Sequence, residues 1–109
     1  MTFQELGLEP MLLKAVTEMG FENPTPIQEQ TIPQLQGKST DMVALAQTGT
    51  GKTAAFGLPL LTKLNLSDRN TQALILAPTR ELCVQISKDI INYSKFLNGL
   101  KVTAVYGGA

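Results

Sequence analysis

The chain has 109 residues, of which 43% are hydrophobic and 17% charged, with nine Lys plus Arg against nine Asp plus Glu. This length allows one soluble globular domain at most, and the apolar content excludes an intrinsically disordered chain. There is no His and a single Cys, Cys83, which excludes a His general base, a structural zinc site and a disulfide framework. No apolar run is long enough to span a membrane and no signal peptide is recognisable, so we expect a cytoplasmic protein.

The zero net charge is unevenly distributed. Residues 1–37 contain one Lys and five Glu, whereas residues 38–109 contain eight cations and four anions. The positive excess in the second part favours an anionic ligand there. Ordinary solvated surface charge explains the same distribution, and both interpretations stay open.

The first predicted helix covers about residues 9–19. Leu8, Leu12, Val16 and Met19 recur at spacings of four, four and three, which places them on one helical face. The glycine that follows Met19 ends the pattern.

A second helix is predicted over residues 26–37, disturbed at Pro33. Thr25 is placed to N-cap it, with Pro26 at the first helical position. The four residues from Thr25 to Gln28 also have the spacing of a capping box, in which the Gln28 amide reaches back to the Thr25 N–H.

Three short apolar segments and two helical patterns alternate in the remainder. The segments at 42–46, 73–77 and 102–106 predict buried strands of a parallel sheet, and the patterns at 52–64 and 80–97 predict helices between them. This order indicates an α/β fold, an open sheet with flanking helices. Because nothing follows the third strand to cover the sheet, we expect a truncated domain; the alternative is a complete three-stranded mini-domain.

The strongest motif runs from Ala46 to Thr53, between a predicted strand and a predicted helix, as in a phosphate-binding loop. Gly49 and Gly51 let backbone N–H groups point at phosphate oxygens, and the helix N-terminus adds its positive end. Lys52 then reaches the β and γ phosphates, and the Thr53 hydroxyl is placed to bind Mg²⁺. The alternative is a bare turn with a solvated lysine, although the helix dipole disfavours a cation there without an anion.

Gln28 has a second interpretation besides capping. Its amide offers one acceptor and two donors, which match the edge of adenine. Phe21 would supply a stacking face, with a plain core aromatic as the alternative. One amide can cap in one nucleotide state and pair with adenine in another, so both interpretations of Gln28 stay open.

Thr79 and Arg80 stand at the start of the last predicted helix. Thr79 is placed to N-cap it, and Arg80 follows where the helix dipole disfavours a cation. A bound phosphate would resolve this, and an ion pair with an acidic residue is the alternative. Cys83 is interpreted as a small core residue.

In combination, these motifs resemble the start of a DEAD-box ATP-dependent RNA helicase of superfamily 2, in particular its bacterial members. The resemblance covers essentially the whole chain, and Ala46 is the residue that this family shows at that position. It implies a partial RecA-like P-loop domain, with residues 1–37 as a Q-motif helical region and residues 38–109 as the first part of the ATP-binding domain. The segments that carry it are Phe3, residues 20–28, residues 46–53, residues 78–82 and the pair Gly107 and Gly108.

The resemblance also implies a role for each matching residue. The adenine-sensing Q motif consists of Phe3, Phe21 and Gln28. The nucleotide loop consists of Gln47, Thr48, Gly49, Thr50, Gly51, Lys52 and Thr53, of which Lys52 and Thr53 act in catalysis and Thr53 binds Mg²⁺. Part of the RNA-backbone surface consists of Pro78, Thr79, Arg80, Gly107 and Gly108.

The implied function is RNA unwinding or remodelling driven by ATP, with ATP and Mg²⁺ as cofactors and RNA bound independently of its sequence. The acidic motif that names the family is not in this sequence. We therefore expect the 109-residue chain to be inactive by itself. Another P-loop ATPase or kinase, and a nucleotide-binding fragment without turnover, remain as alternatives.

Overall fold

The computed structural model describes residues 2–37, 41–45 and 51–107. These residues contain four helices: α1 Pro10–Glu18, α2 Pro26–Gly37, α3 Lys52–Thr62 and α4 Arg80–Tyr93. None of the helices in the described ranges is long and apolar enough to cross a membrane.

Helices α1 and α2 have the predicted bounds to within one residue. Leu12 and Val16 of α1 are fully buried, as predicted, but Met19 lies at the surface. Gly20 follows with φ +86°, a left-handed conformation that side chains other than hydrogen rarely allow. Pro33 lies inside α2 without ending it.

A single apolar core joins the N-terminal segment to all four helices. Helix α2 packs on α3, α3 packs on α4, and α1 contacts α4. The core therefore fixes the start of α3 against α2. Its members are Phe3, Leu6, Leu8, Leu12, Val16, Ile32, Ala54, Leu58, Leu61, Ile90 and Tyr93.

Helices α3 and α4 are shorter than predicted. Beyond α4, the Leu97 N–H donates to the Ser94 carbonyl in a turn that brings Leu97 against the core. The predicted cap of α4 is confirmed, because the Thr79 hydroxyl oxygen accepts from the Leu82 N–H at 3.1 Å. The apolar stripe that predicts this helix consists of Leu82, Ile86, Ile90, Tyr93 and Leu97. Leu82 is exposed, so the buried part of the stripe begins later than the spacing predicts.

The predicted parallel sheet is not confirmed in the described residues. Residues 42–45, 73–77 and 102–106 form no strand there, and no backbone hydrogen bond joins one segment to another. The prediction that they are buried is wrong for Leu74 and Leu76, which are 80% and 84% exposed. An apolar run becomes a buried strand only when neighbouring backbones pair with it and helices cover its faces, and the described residues do not show that pairing.

Candidate functional site

An open cleft of ≈ 370 Å³ lies between the N-terminal segment, the turn before α2 and the start of α3. It brings together four of the residues predicted to bind a nucleotide, although they are far apart in sequence. The residues that line the cleft are Phe3, Gly20, Phe21, Glu22, Asn23, Thr25, Gln28, Gly51 and Tyr93.

Two phenylalanines form one wall of this cleft. The ring of Phe21 stacks on that of Phe3, with centroids 6.4 Å apart and an angle of 25° between the planes. Phe3 is buried in the core, whereas Phe21 is 37% exposed. The core therefore holds Phe21 in place while part of its ring stays accessible to a ligand.

Both ends of the Gln28 amide are held by the protein. Its Oε1 accepts from the Thr25 N–H at 3.0 Å, which is the predicted capping contact. Its Nε2 donates to the Gly51 carbonyl at 3.1 Å, so Gln28 joins α2 to the residue that precedes α3. Gln28 is only 4% exposed. The amide keeps one further acceptor site and one further N–H, which leaves adenine pairing possible.

The predicted N-cap by the Thr25 side chain is wrong. Its Oγ1 is buried and has no hydrogen-bond partner in the described part of the chain. The hydroxyl lies beside Gly51, 3.2 Å from the point that a Cβ of that residue would occupy. The Gln28 contact satisfies the Thr25 N–H, so only half of the capping box forms. An unsatisfied buried hydroxyl costs about 1–3 kcal/mol, which a polar ligand atom would offset.

Gly51 is the N-cap of α3 and adopts a left-handed conformation, with φ 83° and ψ 29°. A Cβ at this position would collide with the Nε2 of Gln28. Only glycine fits here, because of both the backbone conformation and the close approach of Gln28. No side chain caps α3 at this residue, and the first N–H groups of an α-helix have no partner within the helix.

Lys52 and Thr53 form the start of α3. Lys52 is exposed, and within the described ranges no acidic residue pairs with it. Thr53 is half-buried. The described residues contain no group of three or more His, Cys, Asp or Glu that could hold a metal.

The rest of the predicted nucleotide loop, Gln47, Thr48, Gly49 and Thr50, lies outside the described residues, as does Ala46.

The residues predicted to contact RNA line one groove beside α4. Pro78, Thr79, Arg80 and Gly107 all border it, while Gly108 lies outside the described residues. Arg80 has no ion pair in the part of the chain that the structure describes. Its guanidinium carbon instead lies 5.7 Å from the centroid of the Tyr106 ring, which is cation–π distance.

Sequence reasoning missed two tyrosines that border these surfaces. Tyr93 is buried and lines the cleft, and burial, assisted by the charge of Asp89, raises its pKa to about 12. It therefore stays a neutral hydroxyl at physiological pH. In the sequence, Tyr93 stands out only because a tyrosine, which carries a hydroxyl, occupies a core position in the apolar stripe of α4. Tyr106 belongs to the predicted strand at 102–106, and no pattern in the neighbouring sequence predicts its contact with Arg80.

Comparison with known proteins places this geometry in a family. Residues 25–109 match the model of the DEAD/DEAH box helicases. The ATP-dependent RNA helicase CshA of Listeria monocytogenes is 53% identical over 98% of this chain, and DeaD of Mycobacterium tuberculosis is 47% identical over 99%. The chain spans about a fifth of these relatives, 20% of the first and 19% of the second.

Solved structures give the same result. The RNA helicase Prp28 from Chaetomium thermophilum bound to ADP is 40% identical, with a TM-score of 0.87 over 99% of this chain and 27% of that one. Dbp5 from S. cerevisiae bound to RNA and ADP BeF3 is 46% identical, with a TM-score of 0.84 over 87% of this chain and 25% of that one. The chain therefore belongs to the DEAD/DEAH box helicase family.

Proposed function

We propose that this chain is the front part of an ATP-dependent RNA helicase, and that the cleft between the phenylalanine pair and α3 holds the adenine of ATP. The observation that carries the proposal is the meeting of Phe21, Gln28 and Gly51 in one cleft at the N-terminus of α3. A base on Phe21 would have its phosphates directed towards that terminus, which favours anions. The names of the similar bacterial helicases support the same activity.

Three features of the cleft fit an anionic nucleotide. The buried Oγ1 of Thr25 lacks a partner among the described residues. The start of α3 has no side-chain cap at Gly51. Lys52 adds a positive charge where the helix dipole alone disfavours one. The uncapped start of α3 and the charge of Lys52 both become favourable when phosphate is bound.

We assign Lys52 and Thr53 to the phosphate end of the nucleotide. The Lys52 ammonium would attract the β and γ phosphates, and the Thr53 hydroxyl would give one oxygen ligand to Mg²⁺. When bound, Mg²⁺ neutralises charge that develops on the transferred phosphoryl group. Gln47, Thr48, Gly49 and Thr50 are proposed to complete the loop with backbone N–H groups.

The groove beside α4 is proposed to bind RNA through its backbone. Arg80 would pair with a phosphate, and Pro78, Thr79, Gly107 and Gly108 would position the strand. The three apolar segments are proposed as strands of a parallel RecA-like sheet. Residues 1–37 would then form the Q-motif region and residues 38–109 the first part of the ATP-binding domain.

The stacking role of Phe21 provides the test of this function. In the 109-residue chain, Phe21→Leu keeps apolar contact with Phe3 but removes the aromatic face. Since stacking of a base on an aromatic side chain contributes about 1–3 kcal/mol, we expect ADP to bind roughly 5- to 150-fold more weakly. Competition against a fluorescent ADP measures the change, and Phe21→Tyr is the matched control with near-normal binding. Equal ADP affinity of the leucine variant and the original chain would contradict the proposed base site.

RNA binding by the chain alone is expected to be weak, with a shallow salt dependence. The net charge is zero, and the groove offers Arg80 as the one predicted phosphate-pairing cation. Few counterions are then released on binding. Fluorescence anisotropy with a labelled single-stranded RNA, measured over a series of salt concentrations, gives both the affinity and the slope. Tight binding with a steep loss on adding salt would overturn this prediction.

A further inference from the structure

Arg80 is the first residue of α4 and has an unusual environment for a cation. The dipole of α4 disfavours positive charge at this end. Glu81 is its direct neighbour, but adjacent positions on a helix do not face each other. No acidic side chain in the described ranges forms an ion pair with Arg80. Within the described part of the chain, its guanidinium carbon instead lies 5.7 Å from the centroid of the Tyr106 ring.

Tyr106 is well placed to hold this guanidinium. It is 38% exposed, so its ring is partly packed and partly open to the groove. The preceding residue also contacts α4, since the Cys83 thiol donates weakly to the carbonyl oxygen of Val105, with 3.8 Å between Sγ and the oxygen. The ring therefore belongs to a segment that contacts α4 at two neighbouring positions.

A guanidinium that lies over an aromatic ring keeps its N–H edge available. Arginine binds phosphate through two parallel hydrogen bonds donated by the N–H groups of that edge. Contact with a ring through the guanidinium face leaves these N–H groups free to donate. Tyr106 also directly precedes Gly107, which belongs to the proposed RNA surface. The contact thus joins the two segments of that surface, which are 26 positions apart in sequence.

We propose that Tyr106 is a positioning residue for RNA binding, whose ring holds the Arg80 guanidinium with its N–H edge presented to a backbone phosphate. This inference rests on the proposed RNA contact of Arg80. Tyr106 acts through Arg80 and makes no contact of its own with the RNA.

The test uses the complete helicase that carries this chain and measures the affinity for single-stranded RNA at several salt concentrations. Tyr106→Leu removes the ring face and should weaken binding about two- to fivefold, because an exposed cation–π contact is modest. Tyr106→Phe is the matched control and should restore the original affinity, since only the hydroxyl is lost. Nucleotide affinity without RNA should be the same in all variants.

A double-mutant cycle separates positioning from direct contact. Arg80→Ala should weaken RNA binding and lower the salt slope by about one, the signature of one lost phosphate contact. Adding Tyr106→Leu to Arg80→Ala should cause no further loss. Additive losses would show that Tyr106 contacts RNA directly, and a phenylalanine variant as weak as leucine would exclude the ring as the support; either result overturns the inference.

Failure of the proposed function gives a different result. If Arg80→Ala leaves both RNA affinity and salt slope unchanged, the RNA contact itself is absent and the inference is overturned with it. If Arg80→Ala weakens binding but Tyr106→Leu does not, the RNA contact stands and only the positioning role is overturned.

Discussion

Replacement of Lys52 by Ala is expected to abolish RNA-stimulated ATP hydrolysis by the complete helicase. The ammonium at the start of α3 has no acidic partner in the described ranges and stands at a helix N-terminus without a side-chain cap. Its proposed partner is therefore the triphosphate, where charge develops during transfer. Removal of one such electrostatic group lowers turnover by about 100- to 1000-fold, enough to reach background in a slow ATPase.

A phosphate-release assay, with and without RNA, measures this loss. Lys63→Ala is the matched control, because Lys63 is an exposed lysine just beyond the opposite end of the same helix. It should leave turnover unchanged. Stimulated hydrolysis by the Lys52→Ala protein at the original rate would contradict the role of Lys52 at the phosphates.

The 109-residue chain without the rest of the helicase is expected to hydrolyse ATP no faster than background. Phosphoryl transfer to water needs a positioned water and a metal held from more than one side. Asp41 precedes the first predicted strand, while Glu81 and Asp89 lie on α4, so the sequence places none of them as the missing carboxylate. If this chain showed RNA-stimulated ATP hydrolysis that Lys52→Ala removed, the chain would itself contain the groups that position the water and hold the metal, and the prediction would be wrong.

Local sequence signals predicted the helices well. The spacing of apolar residues in α1, Pro26 at the first turn of α2 and the Thr79 cap of α4 all depend on residues within one or two turns. These signals are contained in the sequence window itself, so they predict helix positions without knowledge of the tertiary fold. The same reasoning placed Phe21 and Gln28 in one motif, and the cleft brings both together.

Features that depend on distant residues were not predicted. The side-chain cap by Thr25 does not form, and Thr25 Oγ1 instead lies beside Gly51, 26 positions away in sequence. The apolar segment around Leu74 has the composition of a buried strand, but burial depends on pairing partners that no local pattern specifies. The contact between Arg80 and Tyr106 likewise appears only in the folded chain.

Gln28→Ala is expected to remove the preference of the site for ATP over GTP. If the remaining N–H and acceptor site of the amide pair with adenine, their loss affects adenine nucleotides selectively. An unpaired buried group costs about 1–3 kcal/mol, so ATP affinity should fall roughly 5- to 150-fold while GTP affinity changes little. Competitive titration of both nucleotides on the extended ATP-binding domain measures the ratio of the two affinities.

The structure adds a complication, because Gln28 also stabilises the protein itself. Its amide caps α2 and holds the Gly51 carbonyl, so the alanine variant loses stability as well as any base contact. Thr31→Val is the matched control for this effect. The Thr31 hydroxyl is buried and does not line the cleft; it donates to the Ile27 carbonyl within α2 at 2.7 Å and lies 3.3 Å from the Ala55 carbonyl of α3.

Both variants should therefore unfold at lower temperature, but only Gln28→Ala should change the ratio of ATP to GTP affinity. If both variants lose stability and neither changes the ratio of ATP to GTP affinity, the role of Gln28 is limited to capping α2 and holding the Gly51 carbonyl. A changed ratio in Thr31→Val as well would trace the effect to the α2–α3 contact. A change confined to Gln28→Ala would mean that one amide serves both purposes, holding Gly51 at the start of α3 and recognising the base in the adjoining cleft.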